Sequence, residues 1–235
     1  MRLSAPIYKL KRQAKMSARA QGIPLHSALD EVAVANGFRS WSHLSATMPG
    51  SRLAHQVLGK LDRGDMVLLG ARPGQGKTLL GLELALASAK TGFAGYFFTL
   101  EYTQAAVRDR LADLGADARD TDALVIDTSD QICADHIIAR VGHDARALVV
   151  IDYLQLLDQK RSLPDLNAQV AALSDFARSS GAIIVAISQI DRAFDVAGKR
   201  LPDHTDIRLP NPVDLARFTK RCFLHEGELT LDPAA

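Results

Sequence analysis

The sequence predicts an α/β fold, in which a small N-terminal helical segment precedes a mostly parallel central sheet flanked by helices. From residue 66 onward, short apolar runs alternate with stretches of helical periodicity, a pattern typical of a parallel sheet covered on both faces. Residues 1–48 hold 7 basic and 2 acidic residues, whereas the full chain of 235 residues is nearly balanced at 28 basic and 27 acidic. This shift in charge predicts two units, 1–48 and 49–235, joined near Pro49.

The N-terminal segment has the pattern of three short helices. The first is predicted by apolar residues at helical spacing, Ile7, Leu10, Ala14 and Ala18. After a break at Pro24, Ser27 and Asp30 have the spacing of a capping box for a second helix, and Gly37 stands where a helix would end. A last turn or two, near 40–47, would begin at Ser40.

The second unit alternates predicted strands with predicted helices. The apolar strands are 66–70, 95–99, 124–126, 148–151 and 183–187. Helical stretches are predicted near 77–90, 104–114, 131–141 and 166–179. A hairpin is predicted at the end, with strands 222–224 and 228–231.

The composition excludes several classes of protein. Hydrophobic residues make up 47% and charged residues 23% of the chain, which are ordinary values for a folded domain and argue against disorder. The apolar runs are too short to cross a bilayer, and no N-terminal apolar stretch has the length of a signal peptide. The two cysteines, Cys133 and Cys222, do not suggest a disulfide framework. We expect a cytoplasmic protein without membrane contact, in which both cysteines are buried packing residues.

The strongest local signal is a glycine-rich loop between a predicted strand and a predicted helix. Gly74 and Gly76 let backbone N–H groups turn toward a phosphate, and the helix that follows adds partial positive charge. Lys77 would reach the β- and γ-phosphates, and the Thr78 hydroxyl would ligate Mg²⁺. The predicted nucleotide-binding residues are Arg72, Pro73, Gly74, Gln75, Gly76, Lys77, Thr78 and Leu79.

Three polar side chains follow other predicted strands, at the edge where open α/β sheets bind ligands. Asp152 follows the strand 148–151, as a carboxylate that holds the Mg²⁺ shell would. Glu101 is placed to orient and deprotonate an attacking water, and Gln189 is placed to contact a γ-phosphate. From the residues alone, an ordinary solvated or strand-end role fits Glu101 and Gln189 equally well.

Four segments, GARPGQGKT, FTLE, VVIDYLQLL and AISQIDR, occur in the order and at the spacing of a known family. Over about residues 55–230 the chain resembles the RecA-like P-loop ATPase domain of hexameric replicative helicases of the DnaB type. Ala71 replaces the first glycine of the strict pattern G-x-x-x-x-G-K-[ST], and this family tends to show the same departure. The resemblance implies ATP and Mg²⁺ as cofactors, single-stranded DNA as a partner and a homo-oligomer, namely a hexamer.

The resemblance also implies a role for each candidate residue. Thr78 and Asp152 correspond to the Mg²⁺ ligands, the latter being the Walker B aspartate. Lys77 corresponds to the phosphate-binding lysine, Glu101 to the catalytic glutamate and Gln189 to the γ-phosphate sensor.

Two features of the family have no match in this sequence. One is an N-terminal helical collar domain, and the other is a Lys-x-Arg pair that acts as a finger on a neighbour's nucleotide. Lys220 and Arg221 are the nearest basic residues that would replace the finger. Because a trans arginine contributes orders of magnitude in rate, we expect hydrolysis to be slow.

In the family, loops after the Asp152 strand and the Gln189 strand line a channel for single-stranded DNA. The corresponding loops here carry Lys160, Arg161, Arg192, Lys199, Arg200 and Arg208. Cations along such a groove bind phosphates. Aspartates are interleaved with them, so an ordinary solvated surface is an equally good interpretation.

The predicted first helix sets Lys11, Lys15 and Arg19 four residues apart on one face. Such a face binds phosphates or the acidic surface of a protein partner of unknown identity, or is simply solvated.

These patterns favour one function and leave two alternatives. The favoured function is that of an ATP-dependent, DnaB-type DNA helicase-like protein. The first alternative is an ATP-binding regulatory or assembly factor of the same fold that unwinds nothing. The second is a recombinase-like filament protein, because one fold serves several functions.

Overall fold

The computed structural model describes residues 7–41, 44, 49–142, 146–158, 162–208 and 211–233. The chain divides into two compact units, Met1–Pro49 and Gly50–Ala235. Within the described ranges, no helix combines the length and the apolar character that crossing a bilayer requires.

The first unit is built from two helices, Ile7–Gln21 and Leu25–Ala35, whose apolar faces pack together. The buried side chains of this small core are Leu10, Ala14, Ala18, Ala28, Val32, Ala33, Trp41 and Leu44. The prediction of the first helix is therefore confirmed. Most of the predicted third helix, residues 42, 43 and 45–47, lies outside the described residues.

The second helix starts earlier than predicted. Pro24 occupies its N-cap position with φ −57° and ψ 144°, and no described side chain caps it. Ser27 lies inside the helix, so the predicted capping box with Asp30 is wrong. Because proline fixes φ close to a value that suits the start of a helix, the helix begins without a side-chain cap. Asp30 instead accepts the N–H of Trp41 at 2.7 Å.

The C-terminal end of this helix is as predicted. Gly37 adopts a left-handed φ of +83°, which glycine tolerates best. The N–H groups of Gly37 and Phe38 donate to the carbonyls of Val34 and Ala33, which is a Schellman motif.

The second unit contains a seven-stranded sheet in the part of the chain that the structure describes. Its strands are β1 Met66–Ala71, β2 Ala94–Thr99, β3 Leu124–Asp127, β4 Ala147–Asp152, β5 Ile183–Gln189, β6 Lys220–His225 and β7 Glu228–Pro233. They lie in the order β3-β2-β4-β5-β1-β6-β7. All neighbours are parallel except β6 and β7, which form an antiparallel hairpin. The prediction of a mostly parallel sheet is confirmed.

Helices connect and flank these strands. The α-helices are Pro49–Leu58, Lys77–Ala89, Gln104–Asp113, Ala118–Asp122, Ala134–Val141, Leu166–Ser180 and Ala193–Val196. Short 3₁₀ turns lie at Leu154–Asp158, His204–Asp206 and Leu215–Arg217. The helix that starts at Pro49 was not predicted, because Pro-Gly-Ser looks like a joint. Proline is tolerated in a first helical turn, and Ala54 and Val57 of this helix are buried in the core.

Apolar residues fill both faces of the sheet. Leu68 belongs to one buried cluster and Leu69 to the other, because successive side chains of a strand point to opposite faces. Helices Ala134–Val141 and Leu166–Ser180 pack in the cluster of Leu68, whereas helix Lys77–Ala89 packs in the cluster of Leu69.

Gly81 brings helix Lys77–Ala89 close to the sheet. A Cβ atom at Gly81 would lie 2.9 Å from Ile187 Cδ1 and 3.0 Å from Val150 Cγ1, closer than side chains normally approach. The glycine-rich loop that precedes this helix is therefore anchored directly on the sheet.

The two cysteines differ from each other. Cys222 is buried as predicted, and burial, with a smaller effect of the Asp232 charge, raises the pKa of its thiol to about 12. Cys133 is only partly buried, so the prediction of a buried packing residue is wrong there. It occupies the N-cap position of helix Ala134–Val141, where the chain turns at the end of a helix.

Candidate nucleotide site at the carboxyl edge of the sheet

Four parallel strands end at one edge of the sheet and bring polar residues together. Ala71 at the end of β1 is in register with Gln189 at the end of β5. Thr99 at the end of β2 is in register with Asp152 at the end of β4. The glycine-rich loop, Glu101, Asp152 and Gln189 therefore all leave the sheet on the same side, where α/β proteins bind ligands.

The loop after β1 has the backbone shape of an anion site. Gly74 and Gly76 have φ angles of +80° and +90°, in the left-handed region that side chains disfavour. Gly76 is the N-cap of helix Lys77–Ala89, and no described side chain caps that helix. Its first N–H groups are therefore available to a ligand. The side chain of Lys77 is covered, with 8% exposed.

Asp152 is fully buried, and neither carboxylate oxygen has a hydrogen-bond partner among the described residues. Burial raises the pKa of Asp152 to about 6, although the neighbouring Thr78 hydroxyl, which does not complete a hydrogen bond, lowers it. The Glu101 charge adds to the rise, and the Lys77 and Arg110 charges oppose it. A buried carboxylate without partners is costly. A hard cation with oxygen ligands would satisfy it, so Asp152 and Thr78 fit a Mg²⁺ ion.

Glu101 follows β2 with an exposed side chain. Its N–H donates to the Thr99 hydroxyl at 3.1 Å, which fixes the turn at the end of the strand. Arg110, which the sequence patterns did not identify, stacks 3.9 Å from the centre of the Tyr102 ring and acts on Asp152 through its charge. No motif marks Arg110, because it reaches the site from the second turn of a helix.

Gln189 is held at the end of β5 by a network that sequence reasoning missed. Its carbonyl accepts the N–H of Arg208 at 2.8 Å. Gln155 Nε2 donates to the Ser188 hydroxyl at 3.1 Å and to the carbonyl of Arg208 at 2.7 Å. Gln155 thereby connects the segment after Asp152 with the residue beside Gln189. Its place in the segment VVIDYLQLL was the one available signal.

Two of the predicted nucleotide-binding residues use their side chains within the chain. Arg72 forms an ion pair with Asp195, with an Nη2–Oδ2 distance of 2.6 Å, and donates to the carbonyl of Ile190 at 3.0 Å. Gln75 Oε1 accepts the N–H of Glu226 at 2.8 Å. These contacts tie the glycine-rich loop to the segment after β5 and to the β6–β7 turn. They leave the backbone groups of Arg72 and Gln75 for a ligand.

Two of the predicted DNA-contacting cations are already paired with carboxylates. Lys199 Nζ lies 3.0 Å from Asp203 and 2.9 Å from Asp206. Arg200 lies 2.8 Å from Glu228. Binding a phosphate with either side chain would replace an existing ion pair, which weakens the case for both.

The remaining candidates are less constrained. Arg192 is exposed, and within the described ranges its guanidinium forms no ion pair closer than 4 Å. Lys160 and Arg161 lie outside the described residues.

Lys220 begins β6, at the edge of the sheet opposite the candidate site. Its ammonium lies 2.6 Å from Asp65 and 2.8 Å from Asp62, and Thr219 donates to Asp65 at 2.7 Å. Arg221 donates to a backbone carbonyl at 3.2 Å. Lys220 is therefore held in place and is not available as the substitute finger considered above.

Comparisons with known proteins agree with this geometry. A family model described as an AAA domain matches residues 37–192. The chain is 28% identical over 165 residues to the DNA repair protein RadA of Brucella abortus, covering 66% of this chain and 34% of RadA. It is 28% identical over 221 residues to the replicative DNA helicase DnaB of Leifsonia xyli, covering 77% of this chain and 46% of that helicase. The chain thus spans about a third to a half of these relatives.

Solved structures share the fold at low sequence identity. One structure of an isolated ATPase domain matches with a TM-score of 0.60 at 18% identity, covering 84% of this chain and 83% of that one. A DnaB-like replicative helicase, described with its interactions with primase, matches with a TM-score of 0.58 at 17% identity, covering 92% and 64%. The KaiC-like protein PH0186 of Pyrococcus horikoshii matches with a TM-score of 0.53 at 17% identity, covering 68% and 70%.

Proposed function

The chain belongs to the AAA domain family and carries a RecA-like ATPase domain of the DnaB type, and we propose that its carboxyl edge binds ATP with Mg²⁺ and hydrolyses it. The proposal places this activity in residues 49–235 and treats residues 1–48 as a separate basic helical segment. It extends to a helicase-like action on single-stranded DNA.

The observation that carries the proposal is the buried Asp152 carboxylate. It lies at the end of β4 without a described hydrogen-bond partner and next to the Thr78 hydroxyl. Thr78 follows the lysine of a loop whose backbone is shaped for phosphate. A carboxylate and a hydroxyl beside a phosphate cradle are the protein ligands that a nucleotide-bound Mg²⁺ uses.

Each residue of the site has a distinct part in the proposed reaction. The N–H groups of the glycine-rich loop bind phosphate oxygens, and Lys77 neutralises charge at the β- and γ-phosphates. Thr78 and Asp152 hold Mg²⁺, which when bound supplies further neutralisation of the phosphate charge. Glu101 accepts a proton from the attacking water as the bond between the γ-phosphorus and its bridging oxygen breaks. Gln189 positions the γ-phosphate.

Phosphate release from Mg²⁺–ATP by the full chain tests the enzymatic part. We expect Lys77→Ala to abolish hydrolysis and nucleotide binding in calorimetry, whereas Glu101→Gln abolishes hydrolysis and keeps binding. Lys90→Ala is the matched control, because Lys90 follows the same helix and is more than half exposed. A wild-type rate no higher than that of Lys77→Ala would refute the proposal.

The DNA part of the proposal depends on the loops after β4 and β5. Exposed Arg192 is the described cation best placed to contact a phosphate there. We expect single-stranded DNA to stimulate hydrolysis, and light scattering to give the mass of a hexamer. Stimulation that persists in Arg192→Gln would exclude this residue as a main contact.

One observation favours the alternative of a regulatory or assembly factor. Lys199 and Arg200 are ion-paired within the chain, so the loops offer less free positive charge than a DNA channel needs. Strand separation on a forked DNA at catalytic protein concentrations would exclude this alternative. Electron microscopy of the ATP-bound protein distinguishes closed rings from the open helical assemblies of a recombinase-like filament.

A further inference from the structure

The helix Ile7–Gln21 has a face of positive charge that the described chain does not neutralise. Arg12, Lys15 and Arg19 are exposed on it, and the helix contains no acidic residue. Within the described residues, none of these three side chains forms an ion pair or a hydrogen bond. The free positive charge of the chain is therefore concentrated here, rather than on Lys199 and Arg200.

The spacing of these three residues makes them one surface. They occupy positions i, i+3 and i+7 of a helix, so they lie on the same side and span about 10 Å along its axis. The opposite side of the helix, with Ala14 at its centre, is buried in the core of the first unit. The cationic face is thus fixed by the packing behind it.

We propose that this cationic face, Arg12, Lys15 and Arg19, binds the phosphate backbone of a nucleic acid, independently of the nucleotide site. Protein interfaces have an apolar core rich in aromatic residues, and Met16, 64% exposed, is the one large apolar side chain that this helix exposes in the described chain. Phosphate recognition instead uses lysine, arginine and polar amides, and exposed Gln13 lies one residue beyond Arg12. Charge without an apolar centre favours a nucleic acid over an acidic protein surface.

The test measures binding of the full chain to a fluorescently labelled oligothymidylate, without ATP, by anisotropy at several salt concentrations. We expect the triple variant Arg12→Gln, Lys15→Gln, Arg19→Gln to make the slope of log affinity against log salt shallower by about 2, since each lost contact contributes about 0.7 on a single strand. At about 0.1 M salt this corresponds to roughly 100-fold weaker binding.

A matched control removes the same charges elsewhere. The triple variant Lys60→Gln, Arg108→Gln, Arg119→Gln also replaces one lysine and two arginines, all exposed on the second unit. We expect it to keep the wild-type affinity and salt slope. Circular dichroism verifies that both triple variants are folded, which we expect because every replaced side chain is exposed.

Two results would overturn the inference. One is an unchanged affinity and salt slope in the triple variant of the cationic face. The other is displacement of the oligonucleotide by poly-L-glutamate at equal charge concentration, which would assign the face to an acidic protein surface. Hydrolysis of ATP without DNA serves as an independent readout, because we expect the triple variant to keep it, and Lys77→Ala to lose it while still binding the oligonucleotide. A failure of the proposed enzymatic function is therefore distinguishable from a failure of this inference.

Discussion

Two buried aspartates lie at opposite edges of the same sheet and have opposite surroundings. Asp152, at the carboxyl edge, is fully buried without a described hydrogen-bond partner. Asp65, at the amino edge, is 7% exposed and accepts hydrogen bonds from Lys220, Thr219 and the N–H of Asp62. One carboxylate is saturated by the chain, and the other is left for something the chain does not contain.

The pKa of each aspartate follows from this difference. Burial acts on both groups and favours the neutral acid. At Asp65 the hydrogen bonds from Lys220, from the Asp62 backbone and from Thr219 outweigh burial, and the pKa is lowered. At Asp152 nothing outweighs burial, and the pKa is raised to about 6. The comparison separates a carboxylate that stabilises the fold from one that is kept at a cost in stability, as functional sites often are.

The largest expected effect is on catalysis. Asp152→Asn removes a charged Mg²⁺ ligand, so we expect the rate of ATP hydrolysis to fall roughly 1000-fold, corresponding to about 4 kcal/mol of transition-state stabilisation. Asp65→Asn is the matched substitution at the other edge. A phosphate-release assay on the folded fraction of each variant should show normal turnover for Asp65→Asn. Equal losses in the two variants would contradict the assignment of separate roles.

The next effect is on the pH dependence of stability. Because the pKa of Asp152 is raised in the folded state, its contribution to stability is fully present below about pH 4 and is lost as the pH rises through about 6. In the absence of Mg²⁺ and nucleotide, we expect Asp152→Asn to be more stable than the wild type near neutral pH, by as much as about 3 kcal/mol.

Chemical denaturation at several pH values measures this difference. The advantage of Asp152→Asn should shrink on acidification and disappear near pH 4. An advantage that is the same at all pH values would show that ionisation of Asp152 is not its cause. Asp65 has the opposite sign, since its lowered pKa stabilises the fold above about pH 4 and this contribution is lost on acidification.

A smaller effect is expected at the amino edge. Lys220→Met leaves the Asp65 carboxylate without its cation, so the free energy of unfolding should fall by about 2 kcal/mol. This lies below the range for a fully buried pair, because the Lys220 side chain remains 16% exposed. Urea unfolding measures the change, and the ATP hydrolysis rate of the folded protein should be unaffected. A stability equal to the wild type would mean that Asp65 is satisfied without Lys220.

The smallest effect is expected for an ion pair on the surface. Lys199 also contacts two aspartates, which raise the pKa of its ammonium through hydrogen bonds to Asp206 and Asp203. This cluster is exposed, and exposed ion pairs contribute little to stability. Lys199→Met should therefore have the same urea midpoint as the wild type. A loss as large as that of Lys220→Met would show that burial is not what distinguishes the two clusters.

Much of the fold was predictable because its signals are local. The apolar runs of β1, β2, β4 and β5 and the glycine-rich loop require only neighbouring residues to be recognised. The errors were also local in origin. The helix Pro49–Leu58 was hidden by Pro-Gly-Ser, whose turn chemistry also suits a first helical turn, and Pro24 started the second helix before Ser27 was reached.

The sequence by itself determined which residues carry phosphate and metal chemistry, since Lys77, Thr78 and Asp152 stand at fixed distances from strands and helices along the chain. Only the tertiary structure decided which charges remain free. Arg72 meets Asp195, and Lys220 meets Asp65, across more than a hundred residues, because parallel strands bring distant segments to the same edge. That packing neutralises some charged groups and leaves the Asp152 carboxylate unpaired, and no local pattern encodes the difference.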